Sequence, residues 1–120
     1  MTTEGTHGER SWTEFCPRFH RAIELVGKRW SGAILRALLA GDHRFNELLG
    51  AIPGLSDRLL TERLRELEEE GLVRRDIEPG PPLRITYTLT EKGSELRDAL
   101  WPLAIWAERW MTDETDPVKT

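Results

Sequence analysis

The 120-residue sequence predicts a mainly helical α+β domain in which four helices precede a β-hairpin and a long helix follows it. Between residues 17 and 67, apolar side chains recur every three or four positions, as expected for amphipathic helices. Between residues 72 and 90 the period changes to two, which is typical of strands. We therefore expect one folded domain over residues 12–112, with polar, disordered tails at 1–11 and 113–120.

The first two helices are predicted over residues 17–27 and 31–40. Pro17 suits a first helical turn because its missing N–H is not needed there. Ser31 is the candidate N-cap of the second helix. Each segment has one apolar stripe, made by Phe19, Ala22, Ile23 and Val26 in the first and by Ile34, Leu35, Leu38 and Leu39 in the second.

A short third helix is predicted over residues 44–51, and a fourth begins at Ser56 after a tight turn at Pro53-Gly54. Ser56 is a favourable N-cap, and the carboxylate of Asp57 is favourable in the first turn because of the helix dipole. The fourth helix has a leucine stripe that must face the core: Leu60, Leu64 and Leu67.

The two predicted strands cover residues 72–78 and 84–90. The connecting residues 79–82 read Pro-Gly-Pro-Pro and cannot supply ladder donors, so they form an exposed hairpin tip. Alternation in the second strand places Ile85, Tyr87 and Leu89 on one face. Two helices joined by a glycine-containing turn and followed by a hairpin indicate a winged helix-turn-helix with a two-stranded wing.

A last helix is predicted over residues 91–112, with a kink at Pro102. It contains Trp101, Trp106 and Trp110, which exceed what one small core can bury. The economical explanation is a C-terminal dimerisation helix with an aromatic interface. The sharper alternative is an aromatic pocket between subunits that binds a planar effector.

Composition and charge exclude several classes of protein. The lone cysteine, Cys16, excludes an intramolecular disulfide scaffold, and no apolar run approaches the ~20 residues of a membrane span. The polar start of the chain is not a signal peptide, so we expect a cytoplasmic protein without a membrane partner. No catalytic constellation is visible, and the cysteine and histidines lack the spacing of a metal site. We therefore expect no enzyme activity, cofactor or metal.

The formal net charge of -4 by itself argues against a protein dominated by nucleic-acid contacts. The charges are unevenly distributed, however, because residues 10–44 carry seven basic and three acidic side chains. Screening confines the influence of each charge to ~8 Å at physiological salt, so the net charge does not exclude local phosphate binding.

A series of short motifs follows in a fixed order: Cys16-Pro17, Gly27-Lys28-Arg29-Trp30, residues 34–39, Arg44-Phe45-Asn46-Glu47-Leu48, residues 52–56, residues 60–67, Gly71-Leu72-Val73 and Leu89-Thr90. Over about residues 16–110 the chain resembles the HxlR-type transcriptional regulators, which are winged-helix relatives of the MarR group. The resemblance implies a homodimeric bacterial regulator, with a double-stranded DNA operator as partner and a dimer formed by the first and last helices.

The fourth helix, about residues 56–70, is the candidate reader of the major groove. With the leucines in the core, helical geometry directs these side chains outward: Ser56, Arg58, Thr61, Glu62 and Arg65. Ser56 and the helix N–H groups can meet a phosphate. Arg58 can bind guanine bidentately, Thr61 can pack on a thymine methyl, and Glu62 can accept from cytosine. The alternative is a lattice of exposed ion pairs, Arg58–Glu62 and Arg65–Glu69.

Two arginines outside this helix are further candidate DNA contacts. Arg44 opens the third helix, which in such folds crosses the DNA backbone. Arg84 follows the hairpin tip and is the candidate wing contact, with a cross-strand pairing to Asp76 or Glu78 as the alternative.

Cys16 precedes a helix, a position that stabilises a thiolate. The family that the chain resembles includes thiol-based sensors of oxidants and electrophiles, so Cys16 is the candidate redox sensor. Its oxidised form would be an intersubunit or mixed disulfide. The alternative is an inert, small apolar side chain.

An alternative to the proposed DNA-binding regulator is a winged-helix module that binds protein and not DNA.

Overall fold

The structure is a computed structural model and describes residues 12–112. The helices are α1 (Pro17–Gly27), α2 (Ser31–Ala40), α3 (Phe45–Ala51), α4 (Asp57–Glu69), α5 (Glu91–Ser94) and α6 (Leu96–Trp110). The strands are β1 (His43–Arg44), β2 (Val73–Glu78) and β3 (Arg84–Leu89). The tails predicted at 1–11 and 113–120 lie outside the described residues.

The strands form one antiparallel sheet in the order β1-β3-β2. The β2–β3 hairpin is the predicted wing, with Val73 opposite Leu89 at its base and Glu78 opposite Arg84 near its tip. Strand β1 pairs with the other edge of β3, and His43 lies opposite Tyr87. The sheet therefore has three strands where the sequence predicted two, because a strand of two residues has no visible alternation.

Strand β3 packs Tyr87 and Leu89 of the predicted face against the core. Thr88 is its buried residue, whereas Ile85, Tyr87 and Leu89 are only partly covered. The Thr88 hydroxyl donates to Asp42 Oδ1 at 2.6 Å, which gives this buried polar group its partner. Both faces of this central strand are therefore partly covered by protein.

The core lies between α2, α3, α4 and the start of β2. The predicted stripe of α4 is confirmed, since Leu60, Leu64 and Leu67 are at most 1% exposed. They pack in one cluster with Ile34, Leu35, Leu38, Leu48, Ile52, Leu55, Leu72 and Val73. Burial of a leucine side chain contributes about 1.5–3 kcal/mol, so this stripe fixes which face of α4 points to solvent.

The two predicted helix caps differ in outcome. Ser56 is confirmed as the N-cap of α4, and its Oγ accepts from the Leu59 N–H at 3.1 Å. Ser31 is instead the first residue of α2, and the N-cap is Trp30 in a left-handed conformation with φ 79°. The Trp30 ring lies against the turn before α4, where Gly54 has φ +88° and a Cβ would approach the ring to 3.3 Å.

The predicted last helix is divided at Glu95 into α5 and α6, and Pro102 lies inside α6. Thr90 caps α5 by accepting from the Gly93 N–H at 3.1 Å. Beyond α5, Leu96 and Leu100 pack against the core, and Arg97 Nη2 donates to the Leu39 carbonyl at 2.8 Å. The first turns of α6 are thus attached to α2.

Candidate nucleic-acid interface

The solvent side of α4 presents the polar set predicted from the sequence. Ser56, Arg58, Thr61 and Arg65 are exposed, and Glu62 is partly covered. The Pro53-Gly54 turn and the Ser56 cap place the N-terminal end of this helix at the surface. The Thr61 hydroxyl donates to the Asp57 carbonyl at 2.9 Å, within its own helix.

Arg58 is highly accessible on this face, with 87% of its side chain exposed. Its Nε lies 3.5 Å from Glu62 Oε2, so the first ion pair of the alternative lattice is present. Among residues 12–112, Arg65 has no such pair with Glu69. Exposed pairs of this kind contribute at most about 1 kcal/mol. The Arg58 guanidinium can therefore exchange Glu62 for another partner at little cost.

Arg63 has contacts that were not predicted from the sequence. Its Nε donates to the Arg29 carbonyl at 2.8 Å, across the connection between α1 and α2. Its Nη1 lies 3.4 Å from Glu66 Oε1 and 3.7 Å from Glu62 Oε1. The i, i+3 spacing to Glu66 was the available signal, but the carbonyl partner comes from a distant part of the chain.

The three arginines of the wing differ in their hydrogen-bond and ion-pair partners. Arg74 Nε donates to Asp76 at 2.9 Å, and this hydrogen bond raises the pKa of Arg74. Arg75 Nε lies 3.2 Å from Glu68. Arg84 is exposed and lies opposite Glu78 in the register, while Asp76, one of its two predicted partners, is engaged by Arg74. Within residues 12–112, Arg84 is thus the wing arginine that forms no ion pair.

Arg44 is exposed at the end of β1, and its backbone N–H donates to Glu47 Oε1 at 2.7 Å. This contact fixes the first turn of α3 and leaves the Arg44 guanidinium on the surface. Arg44 lies opposite Thr86 in the sheet, which links its position to that of the wing.

Two helices of the chain expose many apolar side chains. Trp101, Trp106 and Trp110 of α6 are 60%, 52% and 63% exposed, and Phe19 and Ile23 of α1 are 57% and 50% exposed. Leu103 and Ile105 are likewise exposed on α6. Exposed apolar side chains so concentrated on two elements mark a surface for association. We call the exposed apolar side chains of α1 and α6 the apolar surface.

Cys16 is the N-cap residue of α1 and is half-buried. Its Sγ accepts from the Phe19 N–H at 3.5 Å. A thiolate at this position gains from the unsatisfied N–H groups and the dipole of the helix. The cysteine therefore lies at the start of one of the two helices that carry the apolar surface.

Within residues 12–112, no helix has the length and apolar composition needed to cross a membrane. Over the same residues, no group of three or more His, Cys, Asp and Glu side chains is arranged to hold a metal ion.

The sequence matches known regulators over most of its length. It is 48% identical over 99 residues to the uncharacterized HTH-type transcriptional regulator YvaP of Bacillus subtilis strain 168, covering 82% of this chain and 92% of YvaP. It is 41% identical over 95 residues to the HTH-type transcriptional regulator YodB of the same organism, covering 79% of this chain and 85% of YodB. These relatives are named as regulators, not as enzymes.

The fold agrees with solved structures of such regulators. The reduced form of YodB superposes with a TM-score of 0.73 at 40% identity, covering 82% of this chain and 96% of YodB. The oxidized form of the redox regulator HypR superposes with a TM-score of 0.76 at 32% identity, covering 82% of this chain and 100% of the HypR chain. YodB has also been solved after diamide treatment and with bound quinone.

The family profile described as HxlR-like helix-turn-helix matches residues 25–115, from the end of α1 through the whole of α6. The match includes the α3–α4 pair, the wing and the tryptophan-rich helix. With a winged helix-turn-helix fold and relatives of 48% and 41% identity, the chain belongs to the HxlR-like helix-turn-helix family.

Proposed function

We propose that the protein is a homodimeric, sequence-specific DNA-binding transcription regulator in which α4 reads the major groove. The observation that carries this proposal is the two-sided character of α4. Its leucine stripe is buried, and Arg58, Thr61 and Arg65 are exposed along the opposite side. A helix held in this way presents side chains to base edges without unfolding any part of the core.

Three kinds of contact follow from the positions of these side chains. Arg58, Thr61, Glu62 and Arg65 face the bases of the major groove. Ser56 and the N–H groups at the start of α4 meet a phosphate. Arg44 before α3 and Arg84 on the wing bind the DNA backbone on either side and fix the register without reading sequence.

The apolar surface supports the homodimer. A second copy would cover the exposed tryptophans of α6 and the apolar side chains of α1. Pairing by twofold symmetry would place two α4 helices in successive major grooves, ~34 Å apart, on a pseudo-palindromic site. The chain is therefore expected to bind its operator as a dimer.

Titration of the purified protein against DNA from upstream of its own and neighbouring genes, at several salt concentrations, tests this proposal. We expect specific binding that weakens steeply with salt, since phosphate neutralisation releases counterions.

Arg58→Ala should relax the preference at one base pair by about 1–3 kcal/mol. Arg84→Ala should weaken binding to all sequences alike and lower the salt slope by about one contact.

Arg75→Ala is the matched control, because Arg75 is a wing arginine whose side chain pairs with Glu68. It should change neither base preference nor salt slope. A monomer without salt-dependent DNA binding would contradict the proposal and favour the rival, a winged-helix module that binds protein through the apolar surface.

We further propose that Cys16 controls DNA binding through its oxidation. Two observations support this: the sulfur accepts from the α1 N-terminus, and the structural relatives include a redox regulator, HypR, and a regulator solved in reduced and diamide-treated forms, YodB. In the oxidised dimer, the Cys16 thiols of two subunits lose two protons and two electrons to the oxidant and form a disulfide. With a small thiol present, the same oxidation gives a mixed disulfide at each Cys16.

Treatment with diamide is therefore expected to change the operator affinity of the wild-type protein, and reduction with a dithiol should restore it. Cys16→Ser should have the reduced protein's affinity with or without diamide, since it keeps a capping side chain but lacks the thiol. The measurement is a DNA titration combined with the mass of the product under non-reducing conditions. An equal response of Cys16→Ser to diamide would contradict thiol control.

A planar aromatic molecule bound among Trp101, Trp106 and Trp110 is the second candidate effector, and quinone-bound YodB gives a precedent in a relative. Such a ligand would act at the apolar surface without changing the thiol. In Cys16→Ser it would still alter DNA affinity, which separates it from an oxidant.

A further inference from the structure

A series of alternating charges runs along one side of α4, from the C-terminal end of α1 to Arg58. Lys28 Nζ lies 3.0 Å from Glu66 Oε2, and Glu66 Oε1 lies 3.4 Å from Arg63 Nη1. The same Arg63 nitrogen lies 3.7 Å from Glu62 Oε1, and Glu62 Oε2 lies 3.5 Å from Arg58 Nε. Each carboxylate thus joins two cations, and the series ends on the proposed base-reading side chain.

Arg63 is the fixed member of this series. Its side chain is 11% exposed, compared with 35% for Glu62 and 87% for Arg58. A guanidinium buried to this extent needs several partners, and Arg63 has the Arg29 carbonyl at 2.8 Å and both carboxylates. The Arg29 carbonyl and Glu66 lie within hydrogen-bond distance of Arg63, and Glu62, at 3.7 Å, is attracted by charge alone. Arg63 therefore restrains the carboxylate of Glu62.

The pairing of Arg58 with Glu62 is weak when considered alone, because both charges reach solvent. A carboxylate already restrained by a buried guanidinium is a better partner, since less side-chain freedom is lost when Arg58 joins it. The position of Glu62 thus favours those Arg58 rotamers that run along the outer face of α4. Arg63 itself is covered by protein and does not reach a DNA surface.

We propose that Arg63 is a positioning residue for base recognition, which acts through Glu62 to orient the guanidinium of Arg58. The inference rests on the proposed function, in which Arg58 contacts a base. It assigns Arg63 an effect on sequence preference that a purely structural arginine would not have. The competing explanation is that Arg63 only attaches α4 to the connection between α1 and α2.

The test uses the full chain and a set of operator duplexes in which each base pair is replaced in turn. Wild-type protein is compared with Arg58→Ala, Glu62→Gln, Arg63→Gln and the double variant of Arg58 and Arg63. We expect Glu62→Gln and Arg63→Gln to lower discrimination about fivefold to tenfold at the base pair that Arg58→Ala affects. The double variant should lose no more there than Arg58→Ala alone, and the salt slope should stay unchanged.

Arg97→Gln is the matched control, because Arg97 also donates to a backbone carbonyl, that of Leu39 at 2.8 Å, but lies on α6. It should lower the melting temperature through loss of this bond and leave the base preference unchanged. If Arg63→Gln fails to fold, Glu62→Gln carries the same test, because Glu62 is only partly covered.

Three outcomes would overturn the inference. An equal loss of affinity for all duplexes in Arg63→Gln would make its role structural. A loss in Glu62→Gln at a different base pair only would assign Glu62 a separate base contact. Additive losses in the double variant would separate Arg63 from Arg58. Absence of specific binding by the wild-type protein would instead contradict the proposed function, and this inference with it.

Discussion

Replacement of Trp106 by glutamate is expected to dissociate the proposed dimer and to weaken operator binding at least about 30-fold. The Trp106 side chain is 52% exposed in the single chain and belongs to the apolar surface, between Trp101 and Trp110 in the sequence of α6. Truncation or charging of a buried interface tryptophan costs about 2 kcal/mol or more, because it places a carboxylate in a desolvated contact. A monomer would then hold only one half-site.

Light scattering of the free protein and titration of the operator measure the two effects separately. Ile77→Glu is the control, because Ile77 is 55% exposed and lies on β2 of the wing, outside α1 and α6. It should leave the oligomeric state unchanged. A Trp106→Glu protein that remains dimeric would show that Trp106 does not lie in the interface.

Replacement of Gly93 by alanine is expected to lower the free energy of unfolding by about 3 kcal/mol. A Cβ at this position would collide with the Leu72 carbonyl oxygen, which is backbone and cannot turn away. It would also approach the Leu89 side chain to 3.1 Å. Gly93 therefore allows α5 to pack directly on the chain segment that leads from α4 into the wing.

Gly50→Ala provides the matched control within the same protein. Gly50 lies in α3, and a Cβ there would meet nothing within 4 Å. That variant should be more stable than the wild type by about 0.5–1 kcal/mol, because alanine loses less backbone freedom on folding. Thermal or urea unfolding at one protein concentration measures both changes. Equal stability of the two variants would contradict the packing role of Gly93.

The residues next to Gly93 connect the end of α4 to the segment that leads into α6. The Thr90 side chain that caps α5 donates to the Gly71 carbonyl, and Lys92 Nζ donates to the Glu70 carbonyl at 2.6 Å. The end of α4 is thus joined to the start of the segment that continues into α6. In the proposed dimer, these contacts connect α6 and the apolar surface to the end of α4.

Features that depend on residues close together in the sequence could be predicted. The stripe of Leu60, Leu64 and Leu67 set the buried side of α4 and hence its exposed residues. The Ser56 cap was predictable because its bond closes over three residues. By contrast, β1 pairs with β3 far along the chain, and Arg63 binds a carbonyl 34 positions away. The local periodicity of the sequence gives no indication of such long-range pairs.

The sequence by itself determined the order of elements, the family resemblance and the candidate groove-facing residues, because these follow from side-chain spacing and from motifs read in order. Only the tertiary structure decided that the sheet has three strands, that Trp30 and not Ser31 caps α2, and that Arg63 lies between Glu62 and Glu66. It also decided that the tryptophans of α6 remain exposed in the single chain. The physical reason is that burial and ion pairing depend on which distant segments meet, whereas helix and strand periodicity depend on immediate neighbours.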